Sequence, residues 1–178
     1  MALVIKGSSS GQVTVDAPAV AGTNTLTLPA NTGNVLTSSS DVSDLPTAPS
    51  FSAVMTNTSH QTVSASTFTK VVFNVEDWDT DSKYDNVTNY RFTPTVAGIY
   101  QFNIAIRTNS STTNGITLYK NGSLVRRSFV SGSIYVKLST MEVADTDDYF
   151  EAFGFTTGDS FRAEAYQQWF QAHFVRKT

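Results

Sequence analysis

The sequence contains no cysteine among its 178 residues and only two histidines, His60 and His173. The absence of cysteine excludes disulfide bonds, thiolate metal sites and a cysteine nucleophile. Two histidines are too few for a His-rich zinc site within one chain. The chemistry available to the protein is therefore that of hydroxyl, carboxylate, amide and aromatic side chains.

Charged residues and long apolar runs are also scarce. Asp, Glu, Lys and Arg make up 15% of the chain, and the net charge is −3, which argues against a nucleic-acid-binding surface. No apolar run approaches the ~18 residues of a membrane-spanning helix. The first ten residues lack the basic and apolar regions of a secretory signal. We therefore expect no nucleic-acid partner, no membrane insertion and no signal peptide.

Aromatic residues are absent from the first fifty residues, since every Phe, Tyr and Trp lies at Phe51 or later. Three short Thr/Val/Leu pieces between turn residues predict short strands at residues 12–15, 25–28 and 34–37. Because no large side chains are present to offset the entropy of ordering, this region is not expected to fold alone. Residues 1–37 are predicted to form an extended β-rich attachment segment that orders with other copies or on a partner; the alternative is a flexible tail. Residues 38–50, rich in Ser and Pro, are predicted to be a linker.

Residues 51–178, here called the body, alternate apolar and polar side chains. In residues 99–107 the predicted core face consists of Tyr100, Phe102, Ile104 and Ile106. Asn121 and Gly122 predict a type I′ hairpin turn, in which both central residues take positive φ. Residues 149–155 and 169–175 carry bulky side chains on both faces, so we expect both faces to be covered. The pattern predicts an all-β jelly-roll β-sandwich of about eight to ten antiparallel strands.

Three motifs in the body carry a resemblance to a known family. They are Y-R-F-T-P-T-V-A-G-I-Y-Q-F-N-I-A-I-R at residues 90–107, L-Y-K-N-G-S-L-V at residues 118–125 and T-T-G-D-S-F-R-A-E at residues 156–164. Together they resemble the globular head domain of the first complement component, a branch of the tumour-necrosis-factor-like jelly rolls. The resemblance implies a homotrimer whose N-termini gather at one end.

The N-terminal segment resembles a different group of proteins. G-Q-V-T-V-D-A-P-A-V-A-G-T-N-T-L-T-L-P-A-N-T-G-N-V-L-T at residues 11–37 is similar to a short module near the starts of bacteriophage tail-fibre and related virion proteins. A virion protein needs no signal peptide, because it assembles in the host cytoplasm and leaves by lysis. We therefore expect a virion protein whose residues 1–50 bind another virion protein.

An acidic segment in the body partly matches a calcium-binding loop. In D-W-D-T-D-S-K-Y-D, Asp77, Asp79 and Asp81 stand at alternate positions, which suits a hard cation. The pattern then fails, because Ser82 stands where the loop needs Gly and Thr88 stands where it needs Glu. The two interpretations are a calcium site at these three residues and a solvated loop.

A second acidic patch contains Asp145, Asp147 and Asp148, and it is interpreted either as a polar turn or as half of an intersubunit cation site. Neither patch sets a second carboxylate beside an acid of raised pKa, as glycoside cleavage requires. The sequence also has no nucleophile-elbow motif. We therefore expect no enzyme activity and no required cofactor, calcium being the one candidate.

Several side chains could contact a host-surface glycan or protein, since aromatic rings stack on sugars and arginines bind anionic groups. The predicted contact residues are Trp78, Tyr84, Asn121, Arg126 and Arg127. The structural alternative is ordinary packing for the aromatics and an exposed pair for the arginines. The favoured function is a trimeric phage fibre or fibre-tip knob that adheres to the host. The alternatives are a head fibre or capsid decoration protein, and a cytokine-like ligand, which the missing signal peptide disfavours.

Overall fold

The computed structural model describes residues 3–6, 8–15, 48–56 and 59–178. The chain divides into two compact units, Met1–Asp44 and Leu45–Thr178. In the first unit, strands β1 (Leu3–Lys6) and β2 (Gln12–Val15) pair antiparallel. The strand predicted at residues 12–15 is thereby confirmed, whereas those predicted at residues 25–28 and 34–37 lie outside the described residues.

The second unit is built almost entirely of antiparallel strands. In chain order they are β3 (Ser50–Val54), β4 (Gln61–Thr62), β5 (Thr69–Lys70), β6 (Val75–Asp79), β7 (Tyr84–Asp85), β8 (Arg91–Phe92), β9 (Gly98–Arg107), β10 (Thr113–Lys120), β11 (Ser123–Ser131), β12 (Tyr135–Ala144), β13 (Phe150–Thr156), β14 (Ser160–Phe161) and β15 (Trp169–Arg176). A 3₁₀ turn, Ala165–Gln167, precedes β15. In the described part of the chain, no helix is long and apolar enough to cross a membrane.

Two sheets contain most of these strands. The front sheet has the order β12-β9-β15-β3-β6, and the back sheet has the order β11-β10-β13-β8-β7 with β5 also paired to β13. Their facing side chains form one core, in which Phe102 of the front sheet lies 4.5 Å from Phe150 of the back sheet, centroid to centroid. Each buried large apolar side chain stabilises the fold by ~1.5–3 kcal/mol, so this layer of Phe residues holds the two sheets together.

Strand β9 shows why the alternating pattern was informative. Its side chains at Tyr100, Phe102, Ile104 and Ile106 are all buried in the core, as predicted. The turn between β10 and β11 is also confirmed, with φ of 53° at Asn121 and 74° at Gly122. The inter-strand register then continues from Lys120 paired with Ser123.

Two expectations about the body are corrected. The alternation of Phe161, Ala163 and Ala165 with Arg162 and Glu164 predicts a strand over residues 160–166, but the strand ends at Phe161 and a 3₁₀ turn follows at Ala165–Gln167. The expectation that both faces of residues 149–155 are covered holds only in part, because on the outward face of the back sheet Glu151 is buried whereas Phe153 and Phe155 are half-buried. Among the described residues, the aromatic side chains of Phe68 and Tyr119 lie against Phe155 and Phe153 on this outward face.

Candidate binding surface

Asp79 organises the turn between β6 and β7. Its Oδ2 accepts hydrogen bonds from the backbone N–H groups of Lys83 and Tyr84, both at 2.6 Å, and its Oδ1 accepts one from Asp81 at 3.2 Å. Backbone donors therefore contact both oxygens of this carboxylate. Such a carboxylate fixes a tight turn much as an N-cap residue fixes the start of a helix.

The other two acidic residues of this segment have different partners. Asp77 accepts a hydrogen bond from the Ser52 hydroxyl at 2.9 Å, and Asp81 accepts hydrogen bonds from the hydroxyls of Thr80 and Thr95. Within residues 3–6, 8–15, 48–56 and 59–178, no three His, Asp or Glu side chains converge as metal ligands would. Calcium binding by Asp77, Asp79 and Asp81 stays a prediction.

In the second acidic patch, Asp148 joins two loops. Its Oδ1 accepts a hydrogen bond from the Asn121 side-chain amide at 2.6 Å, and its Oδ2 lies 2.7 Å from Lys120 Nζ and from the backbone nitrogen of Asp145. Burial raises the pKa of Asp148. The hydrogen bonds from Asp145, Lys120 and Asn121 together lower it by more than burial raises it, so the pKa lies below its usual value. Asn121 Oδ1 in turn accepts from the backbone N–H of Tyr149 at 2.9 Å. We call this set the Asn121 latch: Lys120, Asn121, Asp145, Asp148 and Tyr149.

The two aromatic residues predicted to contact the host differ in exposure. Trp78 lies on the edge strand β6, not in a loop, and it is 50% exposed. Tyr84 is buried: its ring stacks on Phe51 at a centroid distance of 4.8 Å, and its hydroxyl donates to the Phe73 carbonyl at 3.1 Å. Burial also raises the pKa of Tyr84 above its usual range. The structure therefore places Trp78 at the surface and Tyr84 in the core.

The paired arginines of β11 point in different directions. Arg126 Nε lies 2.9 Å from Glu142 Oε1 on β12, whereas the Arg127 guanidinium lies 5.9 Å from the centroid of the Phe129 ring. Both side chains are exposed. Trp78 belongs to the front sheet, whereas Asn121, Arg126 and Arg127 lie on the β10–β11 hairpin of the back sheet. Contact of these residues with a host surface stays a prediction.

Sequence reasoning missed an aromatic surface on the outward side of the back sheet, which we call the aromatic face. Its members are Phe68, Tyr119, Phe129, Phe153 and Phe155. The first cluster joins Phe68, Phe129 and Phe155, with ring centroids 5.2–6.0 Å apart. The second pairs Tyr119 with Phe153 at 4.4 Å. The alternation of Phe153 and Phe155 in β13 was a visible signal, but it was interpreted as evidence of a covered face.

Gly115 on β10 makes room for the most exposed ring of the aromatic face. Phe129 pairs with Gly115 across the β10–β11 ladder. A Cβ atom at Gly115 would lie 2.6 Å from Cε1 of the Phe129 ring, closer than carbon atoms approach. The ring therefore lies over the glycine, and 45% of Phe129 stays exposed.

Comparison with solved structures finds the same fold at low sequence identity. A crystal structure of murine APRIL at pH 8.0 has a TM-score of 0.60 and 11% identity, covering 72% of this chain and 100% of that chain. The globular domain of zebrafish complement 1qA has a TM-score of 0.56 and 17% identity, covering 74% and 100%. The vertex protein P5 of phage PRD1 has a TM-score of 0.59 and 10% identity, covering 72% and 98%.

These likenesses establish the fold class. The body is an antiparallel jelly roll of the kind found in tumour necrosis factor and complement heads, as the motifs implied. The same fold occurs in a structural protein of a phage virion. No model of a known protein family matches the chain, and no curated protein matches it in sequence.

Proposed function

We propose that this chain is a non-enzymatic phage virion protein: a trimeric fibre or fibre-tip knob. In this proposal, the body contacts the host surface and residues 1–50 attach to another virion protein. The shared fold with the PRD1 vertex protein supports the virion assignment. The resemblance of residues 11–37 to a tail-fibre module and the presence of a separate N-terminal unit support the division of roles.

Self-association is supported by the exposed apolar side chains on edge strand β12. This strand pairs with β9 on one side and ends the front sheet on the other. Met141 is 57% exposed and Val143 is 53% exposed on it. The alternation of exposed and buried residues along β12 places both side chains on the outward face of the front sheet. Apolar groups on such a face are best covered by another copy of the chain. This observation supports self-association, and the number of copies, three, is what the resemblance to the complement heads implies.

A capsid decoration protein is the second candidate, and one finding favours it. The solved phage structure with this fold is named a vertex protein, and a vertex is part of a shell. In that case the trimer would act mainly in assembly, and binding to the host would be weak or absent.

The experiment that separates the two candidates uses the purified full chain and the phage that carries it. If the protein is an adhesin, added chain competes with phage for adsorption to host cells, and density for the body lies on the tail in a virion reconstruction. Density on the shell together with no competition would favour the decoration protein. Absence of the chain from purified virions would overturn both candidates.

A further inference from the structure

On the strands of the back sheet, two cations lie outside the ion pairs of the described residues: Arg91, which covers the Tyr149 ring at 4.5 Å, and Arg127, which lies beside Phe129 of the aromatic face. Lys70 pairs with Glu151, Lys120 with Asp148, and Arg126 with Glu142. Within the described part of the chain, Arg127 has no carboxylate within ion-pair distance and no side-chain hydrogen bond, and its guanidinium lies 5.9 Å from the centroid of the Phe129 ring. Its guanidinium therefore retains its donors for a ligand, and a carboxylate is the group that fits them in a bidentate manner.

Hydroxyl groups flank the Phe129 ring along the strands. Thr113 and Ser131 pair across the β10–β11 ladder at one end, are exposed, and have their hydroxyl oxygens 3.3 Å apart. Thr117 pairs with Arg127 on the other side of Gly115 and is fully buried. Its hydroxyl has no hydrogen-bond partner among the residues that the structure describes. Alternation along β10 places Thr113, Gly115 and Thr117 on the same outward side.

We infer that this part of the back sheet binds a carboxylated sugar. The C–H face of the sugar ring stacks on Phe129, the carboxylate pairs with Arg127, and the sugar hydroxyls exchange hydrogen bonds with Thr113 and Ser131. A neutral sugar would use the ring and the hydroxyls but would leave the guanidinium unpaired. The inference names a ligand class and a site for adhesion, and so it rests on the proposed function.

Direct binding of defined sugars to the purified full chain tests the site independently of any host. The probes are an oligomer of galacturonic acid, its methyl ester, and N-acetylneuraminic acid. We expect titration calorimetry or NMR shifts to show binding of the galacturonate oligomer and binding about tenfold weaker for the methyl ester, since the ester loses the charge-assisted hydrogen bonds. Comparing N-acetylneuraminic acid with the galacturonate oligomer shows which of two kinds of carboxylated sugar, a sialic acid or a uronic acid, the site binds.

Paired variants locate the binding. Arg127→Gln and Phe129→Ala should each weaken galacturonate binding about tenfold or more. Arg126→Gln, which changes the neighbouring arginine that pairs with Glu142, should leave binding unchanged. Arg127 is exposed, so its variant still folds and keeps the test valid even if Phe129→Ala does not. Equal binding of the acid and the ester, or equal binding by the two arginine variants, would overturn the inference.

The same variants separate failure of this site from failure of the adhesion role. If sugars do not bind, and Trp78→Ala abolishes competition for host adsorption while Phe129→Ala leaves it intact, the chain is an adhesin that binds through the front sheet, and this site is wrong. If Phe129→Ala lowers the mass of the protein in solution and sugars do not bind, the face is a contact between copies. If sugars bind but the chain never competes with phage, the site stands and the adhesion role fails.

Discussion

Asp85 shows how one carboxylate can determine a local turn. Its oxygens accept hydrogen bonds from the backbone N–H groups of Val87, Thr88 and Asn89 at 2.8–3.1 Å and from the Asn89 side-chain amide at 2.6 Å. These bonds, the one from Thr88 above all, hold the pKa of Asp85 at about 2, and burial opposes them only in part. Because the pKa is depressed by folding, the ionised group stabilises the folded state above its unfolded pKa of ~3.9. That stability is lost as the pH falls towards about 2.

We therefore predict that Asp85→Asn makes the protein less stable at neutral pH and less sensitive to acid. The amide keeps one acceptor oxygen but loses the other, which costs about 1 kcal/mol of unfolding free energy at pH 7. Urea unfolding at pH 7, 4 and 2.5 measures the unfolding free energy of the wild type and of the variant. The difference between wild type and variant should shrink as the pH falls. Asp147→Asn, at an exposed residue, should follow the wild type at every pH. An unchanged pH slope in Asp85→Asn would contradict the prediction.

The connections between strands hold one another in place through the Asn121 latch. Asn121 was predicted from sequence as a turn residue and as a host contact. The structure shows that its backbone makes the turn between β10 and β11, while its side chain bridges to Asp148 and Tyr149 beyond β12. Two loops far apart in sequence are thereby held together by polar side chains. The carboxylate of Asp148 in this latch is already paired with a cation, since Lys120 Nζ lies 2.7 Å from its Oδ2.

Two substitutions at Asn121 test the latch. Asn121→Gly keeps the positive φ but removes both side-chain hydrogen bonds, and it should lower the unfolding free energy by about 1–3 kcal/mol. Asn121→Asp keeps the shape but sets a second carboxylate against Asp148, so it should be more destabilising at pH 7 than at pH 4. Thermal melts at pH 7 and pH 4 compare the stability of the two variants with that of the wild type. Equal stability of Asn121→Gly and the wild type would show that the turn alone matters.

At the scale of the whole body, two of the surfaces that carry exposed apolar side chains lie on different sheets. One is the β12 edge of the front sheet, with Met141 and Val143, and the other is the aromatic face of the back sheet. Because the two surfaces belong to different sheets, assembly can cover one while the other stays open to a ligand. This arrangement is consistent with a protein that both self-associates and binds the host.

We predict that the full chain is a trimer in solution and that Val143→Asp dissociates it. A charge on the covered edge would lose its solvation on assembly, which disfavours the oligomer. Light scattering at micromolar concentration should give three times the chain mass of 19.3 kDa for the wild type and a lower mass for the variant. Val87→Asp makes the same change at an exposed turn residue of the body and should remain trimeric. A monomeric wild type would end the proposal of a trimer.

Much of the fold could be predicted from local pattern, because strand alternation and turn chemistry act between near neighbours. The period of two placed Tyr100 and Phe102 in the core, and Asn121 with Gly122 placed the hairpin turn. The lack of cysteine and the scarcity of histidine excluded whole classes of chemistry. These inferences needed no knowledge of which strands pair, since each depends on a few consecutive residues.

The location of the surface sites depended on pairing between distant parts of the chain. The sequence placed Trp78 and Tyr84 together in one acidic loop, yet one lies on an edge strand and the other stacks in the core against Phe51. Phe129 became an exposed platform only because β11 set it opposite Gly115 and near Phe68 and Phe155 of distant segments. Residue type and spacing determine which face of a strand is apolar; only the packed sheets decide what covers that face and what leaves it open.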